Sequence, residues 1–463
     1  MTEDIQIAYY GDDFTGSTDV MEALSLAGVS TVLFLERPAA TDLEAFGDVD
    51  AVGIAGTSRD MTPAEMDEAL PPAFGALAEF DPELVQYKVC STFDSAPDIG
   101  SIGHAIDLAQ ARFESPFVPV VVAAPSLEPR GRYVVFGNLF ATVDDETYRL
   151  DRHPTMADHP VTPMSEADLT RHLGEQTDRR IRNLDVRHAE SGKTAVKETL
   201  TETINEDEIV VFDGLTHDHQ RTVGGAIWES RPDDRPLFSA SSSGLNYALT
   251  AHWRETGQIA DVDPPEPLEP VERLVVVSGS ASPVNDAQIE WAIENGFRGI
   301  RLDTAGLIDS ETVAAARADA IETALEALDA GESVLLYTAR GDDDSAIERT
   351  NDRAAELGIG DEEIGRRLGR QQGRILRELL DETELDRVCV AGGDTSGYVA
   401  PELDVYALEF ASSVGAGSPL CRARSRTDRF DGLEIALKGG QVETSHDEPD
   451  YFGVVRSGGT VLQ

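Results

Sequence analysis

Residues 5–28 read IQIAYYGDDFTGSTDVMEALSLAG, an apolar run that ends on two adjacent aspartates and then gives way to small and hydroxylated residues. Ile5–Tyr10 has the content of a buried strand, and Ser17–Ala27 carries the apolar period of a helix. A strand that feeds a helix through a glycine turn begins an α/β unit. In open α/β sheets ligands gather at the carboxyl ends of strands, which is where Asp12 and Asp13 fall. Helix capping explains one acid there, with Thr15 or Ser17 as N-cap and the acid near the positive helix end. Two acids flanked by Gly11 and Gly16 exceed what a cap requires.

The alternation continues along the chain. Strand-like runs are expected at Thr31–Leu35, Ala51–Ala55, Val85–Val89, Val118–Ala123, Ile209–Phe212 and Leu237–Ala240. A second set falls at Leu274–Ser278, Gly299–Leu302, Ser333–Tyr337, Arg387–Ala391, Val405–Glu409 and Leu433–Leu437. Helices are expected between them, among them Pro63–Leu70, Glu166–Gln176, Asn285–Asn295 and Val313–Ala330. One segment, DVDPPEPLEPVE at 261–272, reads as a stiff proline-rich linker. The expected fold is α/β with two domains, 1–260 and 273–463, each a mostly parallel sheet flanked by helices.

Composition narrows the function classes. The 463 residues carry 38 Lys and Arg against 86 Asp and Glu, a formal net charge of −48. Such a chain repels nucleic acid and anionic membranes. Lysine occurs four times only, at 88, 193, 197 and 438. An acid-rich, lysine-poor surface is what a salt-rich cytoplasm favours, so a halophilic source is expected. No apolar run approaches a membrane span, and residues 1–7 lack a basic start or an apolar signal region. A soluble cytoplasmic protein is therefore expected. Cys90, Cys389 and Cys421 are scattered, as in a reducing compartment. His153, His159, His217 and His219 have no zinc-site spacing and read as surface loop residues.

Further polar clusters recur at strand ends. Gly56-Thr57-Ser58-Arg59 ends on an arginine able to grip a carboxylate with two bonds. Tyr87-Lys88-Val89-Cys90-Ser91-Thr92-Phe93-Asp94-Ser95 keeps one of the four lysines ahead of two hydroxyls, which suggests an anion to hold. The second half repeats the theme with glycine, in Ser278-Gly279-Ser280-Ala281-Ser282, in Gly392-Gly393-Asp394-Thr395 and in Lys438-Gly439-Gly440. Glycines let backbone N–H groups approach phosphate oxygens at helix starts. Three such loops, one with lysine, make the second domain a phosphate binder. Neither G-x-x-x-x-G-K-[ST] nor a G-x-G-x-x-G that opens a helix after the first strand of either domain is present. Gly11 stands where an aspartyl phosphatase would carry its nucleophile.

These motifs, in this order, resemble the four-carbon acid sugar kinase family over nearly the whole chain. GDDFTGSTD, TSR at 57–59 and YKVCSTFDS are similar to its substrate-domain motifs, the last in the form of the 3-oxo-tetronate kinase branch. VVSGSASPVNDAQI and VAGGDTSGYVA resemble its two ATP-binding motifs. The chain departs from the family in Ser95-Ala96-Pro97-Asp98-Ile99-Gly100 and in Lys438-Gly439-Gly440-Gln441-Val442-Glu443. The resemblance implies ATP- and Mg²⁺-dependent phosphorylation of the terminal hydroxyl of a four-carbon sugar acid, in a cleft between the domains. Asp12 is then the expected base, Asp13 its orienting partner or an indirect metal ligand, and Asp394 the rival base. Arg59, Lys88, Cys90, Ser91 and Thr92 would bind the acid. Ser278, Gly279, Ser280, Gly392, Gly393, Asp394, Thr395, Lys438 and Gly439 would bind ATP. Direct metal ligands and oligomeric state stay open, a homo-oligomer being compatible with the sequence. Another small hydroxy acid as substrate, or a non-catalytic sugar-acid sensor, are the alternatives.

The charge generates one expectation of its own. Folding concentrates repulsion that an expanded chain relieves, so added salt should raise the thermal midpoint steeply and then level off. A melting series from low to molar KCl measures this. A flat series removes the halophilic reading.

Overall fold

A computed structural model describes residues 5–127, 131–143, 146–157, 162–203, 208–263, 265–341, 343–415, 417–442, 444 and 449–459. His159, Pro264 and Glu443, which figure in the readings above, lie outside the described residues. The chain divides into two compact units, Met1–Val262 and Asp263–Gln463.

The first unit is built on five parallel strands in the order Leu237–Ser241, Leu84–Lys88, Ile7–Gly11, Ala51–Ala55, Thr31–Phe34. The opening strand is central because all five of its residues are buried, the pattern of a parallel strand covered on both faces. The chain runs from it to one side, through the second and third strands, and then to the other side for the fourth. That change of direction makes a topological switch point beside Gly11. Register aligns the carboxyl ends: Gly11 lies opposite Ala55 and Lys88, and Lys88 opposite Ser241. Beneath that edge Tyr10 stacks on Tyr87 at 6.0 Å, and Phe74, Phe113 and Phe238 fill the core.

A second parallel sheet, Phe117–Val121, Glu208–Phe212 and Ile181–Leu184, adjoins the strand Leu237–Ser241 through buried serines. The Ser241 hydroxyl accepts from the Val121 N–H at 2.8 Å, and Ser239 donates to the Pro119 carbonyl at 2.9 Å. A meander of three short antiparallel strands, Arg132–Val135, Asn138–Val143 and Glu146–Arg149, completes the unit. Its tight turn holds Phe136 and Gly137 at positive φ. Buried Asp213 fastens the turn, accepting from the N–H groups of Phe136 and Gly137 and from Asn183 Nδ2 at 2.7 Å.

The second unit orders its strands Val405–Gly415, Ser418–Ser425, Glu434–Lys438, Arg387–Ala391, Val275–Ser278, Ser333–Tyr337, Phe297–Arg301. The first two pairings are antiparallel and the rest parallel. Ser278, Tyr337, Ala391 and Lys438 share one register level, so three polar loops open on one edge. An α/β fold with mostly parallel sheets flanked by helices is thus present in both units.

The proline-rich segment is less free than a linker. Leu268 N–H bonds the Gly458 carbonyl at 2.9 Å and Val271 N–H bonds that of Arg456 at 3.0 Å. Arg387, 2% exposed, holds this join by donating to the carbonyls of Glu269, Val455 and Arg456 while pairing with Glu434 at 2.6 Å. Two other readings need correction. His153 and His219 are buried, not surface residues. The helix after the first strand spans Phe14–Leu26, and its N-cap is Asp13, not Thr15 or Ser17: an extended Asp13 accepts from the Gly16 N–H. A carboxylate is a better acceptor there than a Thr hydroxyl. Among the described residues no helix is long and apolar enough to cross a membrane.

Arg387→Met leaves Glu434 and three carbonyls without their cation. It should lower stability by about 3–5 kcal/mol and speed amide exchange at Leu268 and Val271. A melting midpoint and exchange rates within error of the parent would show that the join holds without it.

Candidate active site

The carboxyl edge of the first unit gathers most of the residues read from its motifs. Asp12 is tied through its backbone to two loops at once: its N–H bonds the Lys88 carbonyl at 2.9 Å, and its carbonyl accepts from the Arg59 N–H at 3.0 Å. Arg59 Nη2 then donates to Asp12 Oδ1 and to Asp13 Oδ1, both at 2.8 Å, with Nε at 3.4 Å from Asp12 Oδ2. Asp12 is 2% exposed, and burial pushes its pKa up to about 6. The neighbouring Arg59 and Lys88 pull the other way, and Asp13 adds to the rise.

Lys88 is buried, its Nζ 3.6 Å from Asp19 Oδ2. Gly16 is required here because a Cβ would stand 2.7 Å from that Nζ and would overlap the capping carboxylate of Asp13. Gly100, at φ +59, has the Arg59 carbonyl where its side chain would lie. The departing segment 95–100 therefore still ends on a glycine that the site needs. Cys90 Sγ is 2.9 Å from Thr92 Oγ1, and burial, then Asp94, push the Cys90 thiol up to about 11, so it is no nucleophile. The clamp expected of Arg59 is largely engaged internally, which leaves Nη1 for a ligand. Ser91 is half-buried and Thr92 buried in the loop that follows.

The second unit brings its three glycine loops together, but several of the glycines serve packing. Gly279 N–H bonds the Ala391 carbonyl at 2.9 Å and Gly392 N–H bonds that of Lys438 at 2.8 Å, so neither N–H is open to a phosphate. A Cβ on Gly279 or Gly392 would run into Thr395 Oγ1, and one on Gly440 into Ser280 Oγ. Gly393 differs, with no atom within 4 Å of where a Cβ would sit. It opens the helix Gly393–Glu402, whose N-cap Gly392 lies at φ +129 and supplies no side-chain cap. The N–H groups of Gly393, Asp394 and Thr395 have no intrahelical acceptor and suit an anion. Asp394 is exposed in that first turn. Lys438 is 1% exposed, its Nζ 3.1 Å from the Gly439 carbonyl and 3.5 Å from Asn285 Oδ1. Ser278 sits beneath, its hydroxyl bonded by Asn285 Nδ2 at 2.8 Å and its carbonyl by Gln372 Nε2 at 3.0 Å. This loop set fits a polyphosphate; among the described residues no cluster of three His, Cys, Asp or Glu could hold a metal without it.

Sequence reasoning passed over Asp19, Asn285 and Gln372. Asn285 was visible inside VVSGSASPVNDAQI as a polar residue two positions into a helix. Gln372 gave no signal beyond being uncharged within an Arg- and Glu-rich helix.

Comparison with known proteins agrees with this division. A family model described as a sugar-binding N-terminal domain matches residues 7–249, and one described as a nucleotide-binding C-terminal domain matches 275–445. The 3-oxo-isoapionate kinase of Paraburkholderia graminis is 45% identical over 452 residues, covering 98% of this chain and 94% of its own. The 3-oxo-tetronate kinase of Pseudomonas savastanoi pv. phaseolicola is 31% identical, covering 93% and 92%. Crystal structures from Salmonella typhimurium LT2 (TM-score 0.76, 24% identity, 98% of each chain) and Haemophilus influenzae (0.70, 22%, 97% and 99%) share the fold. The chain belongs to the four-carbon acid sugar kinase family and is a phosphotransferase that acts on an alcohol group of a sugar acid.

Proposed function

We propose that the protein transfers the γ-phosphoryl group of ATP, with Mg²⁺, to the terminal hydroxyl of a small sugar acid. The acid named for the 45% relative is the first candidate, ahead of 3-oxo-tetronate, threonate or erythronate. The observation that carries the reaction type is Asp12, a buried carboxylate at a switch-point strand end with its pKa near 6. Such a group is ionised at neutral pH yet basic enough to take a proton from an attacking hydroxyl.

When bound, ATP–Mg²⁺ supplies the phosphoryl group and the cation that neutralises its developing charge. The chain's own part is positioning. The N–H groups at Gly393–Thr395 and the Lys438 ammonium hold the phosphates. Asp394, exposed in the same first turn, would be available to the metal when it binds and remains the alternative base. Arg59 keeps Asp12 and Asp13 aligned, and its Nη1, with Lys88, Ser91 and Thr92, binds the acid. Transfer requires donor and acceptor at in-line distance, which is the main demand of phosphoryl transfer. The acidic surface suits work in a salt-rich cytoplasm.

ADP formation with each of the four acids, across a KCl series, tests this reading, and no acid-dependent ADP would sink it. Asp12→Asn should cut kcat roughly 10²–10⁴-fold with KM for ATP unchanged. Because Asp12 must lose its proton to act, kcat/KM should rise with pH and reach half its plateau near pH 6. Arg59→Gln removes a cation that lowers that pKa, so the rise should move to higher pH while KM for the acid increases. A profile flat from pH 5 to 7, or an active Asp12→Asn beside an inactive Asp394→Asn, moves the base to the second unit.

A further inference from the structure

The turn after the strand Leu84–Lys88 carries a group that the reaction scheme leaves unused. Asp94 is 7% exposed, and its Oδ1 is buried without a hydrogen-bond partner. A buried acceptor left unsatisfied is costly, and natural structures rarely keep one without a reason.

The backbone that presents it is fixed. Phe93 stands at φ +60, a left-handed conformation that a bulky residue seldom adopts. Its N–H bonds the Cys90 carbonyl at 3.0 Å, and its own carbonyl accepts from Ser95 Oγ at 3.0 Å. Ser95 Oγ is locked in turn by Gln176 Nε2 at 2.9 Å and His172 Nε2 at 2.8 Å. The Phe93 ring meets the His172 ring edge-on at 6.0 Å. Both neighbours of Asp94 are thus held while its own carboxylate is not, the pattern of a strained, preformed ligand site.

Its surroundings tie it to the acceptor site. The Cys90 thiol feels the charge of Asp94 as well as those of Arg59 and Lys88. His153 feels the same charge: burial and then Arg132 hold it below its ordinary pKa against the pull of Asp94. His153 Nδ1 accepts from the N–H groups of Thr155 and Met156 at 3.2 and 3.3 Å, which leaves the proton of the neutral ring on Nε2. A carboxylate repels a second carboxylate and welcomes an O–H, so the hydroxyl-bearing part of a sugar acid belongs here and its acid end does not.

We propose that Asp94 is a specificity-determining residue of the acceptor site: its carboxylate accepts a hydrogen bond from a substrate hydroxyl, and His153 Nε2–H donates to an oxygen of the same molecule. The proposal rests on the sugar-acid kinase reading above. A site built around such a bond discriminates strongly against an analogue without the hydroxyl.

The test uses the full-length protein, with Asp94→Asn and Asp94→Ala beside the parent. KM and kcat are measured for 3-oxo-isoapionate, 3-oxo-tetronate and their deoxy analogues, and the shift in melting midpoint on adding each acid without ATP. Both variants should raise KM for the preferred acid roughly 10- to 100-fold, leave KM for ATP unchanged, and accept deoxy analogues almost as well as the parent acid. Since the carboxylate makes no bond in the ligand-free protein, neither variant should melt lower than the parent, but both should lose the acid-induced shift. Folded variants with unchanged KM, shift and discrimination, or variants that simply melt lower, would make Asp94 structural and overturn the proposal. If the parent itself neither phosphorylates nor is stabilised by any acid, the functional reading fails first and this inference with it.

Discussion

The first unit depends on the way Asp12 is held. Its N–H and carbonyl each bond a different loop, and its carboxylate pairs with the side chain of one of them. Two loop ends are thereby fixed to the strand that lies at the switch point. Aligned register makes this possible, since Gly11, Ala55 and Lys88 finish at one level and Asp12 is the next residue out. The same fixing buries the carboxylate, and burial outweighs the attraction of Arg59 in setting its proton affinity. Scaffold and chemistry are therefore one arrangement: loosening the backbone bonds to Lys88 and Arg59 would also hydrate the carboxylate and return it toward an ordinary acid.

The second unit reaches a charged site by another route. Its glycines bring loops into contact with one another: Gly279 and Gly392 both admit Thr395, and Gly440 admits Ser280. What remains for an anion is a bare helix start at Gly393 and a lysine withdrawn to 1% exposure among Asn285, Tyr451 and Phe452. In a chain of net charge −48, a lysine sheltered in this way keeps its field directed at a ligand and away from surface acids.

The parts of the fold that were legible in the sequence are those where local pattern and burial agree. Arg387–Ala391 is buried throughout and Ala51–Ala55 at all but its last residue, and both read as strands from composition alone. The meander at 132–149 was not legible, because half-exposed antiparallel strands such as Glu146–Arg149 are polar on their outer side. Ser418–Ser425, reading SPLCRARS, was missed although most of it is buried, because its proline and two arginines break the apolar pattern of a strand. In the site, the residue types and their strand-end positions were visible from the motifs. Their pairing was not: nothing local says that Arg59 turns back to Asp12 and Asp13, or that His153 is buried. Those facts belong to tertiary contacts between segments some tens of residues apart.

The join of Leu268 and Val271 to residues 456–458 has a consequence for synthesis on the ribosome. These partners are separated by almost the whole length of the second unit, and Arg387 lies between them in sequence. The first unit has all of its described strands once residue 241 has emerged, so it can close while translation continues. The second cannot seal its first segment until the helix Tyr451–Ser457 appears, and that closure spans a long loop. In the interval the apolar residues of its sheet are exposed to solvent. Maturation of this chain is accordingly sequential, and its window of vulnerability to chaperone capture or aggregation lasts until residues 456–458 are made.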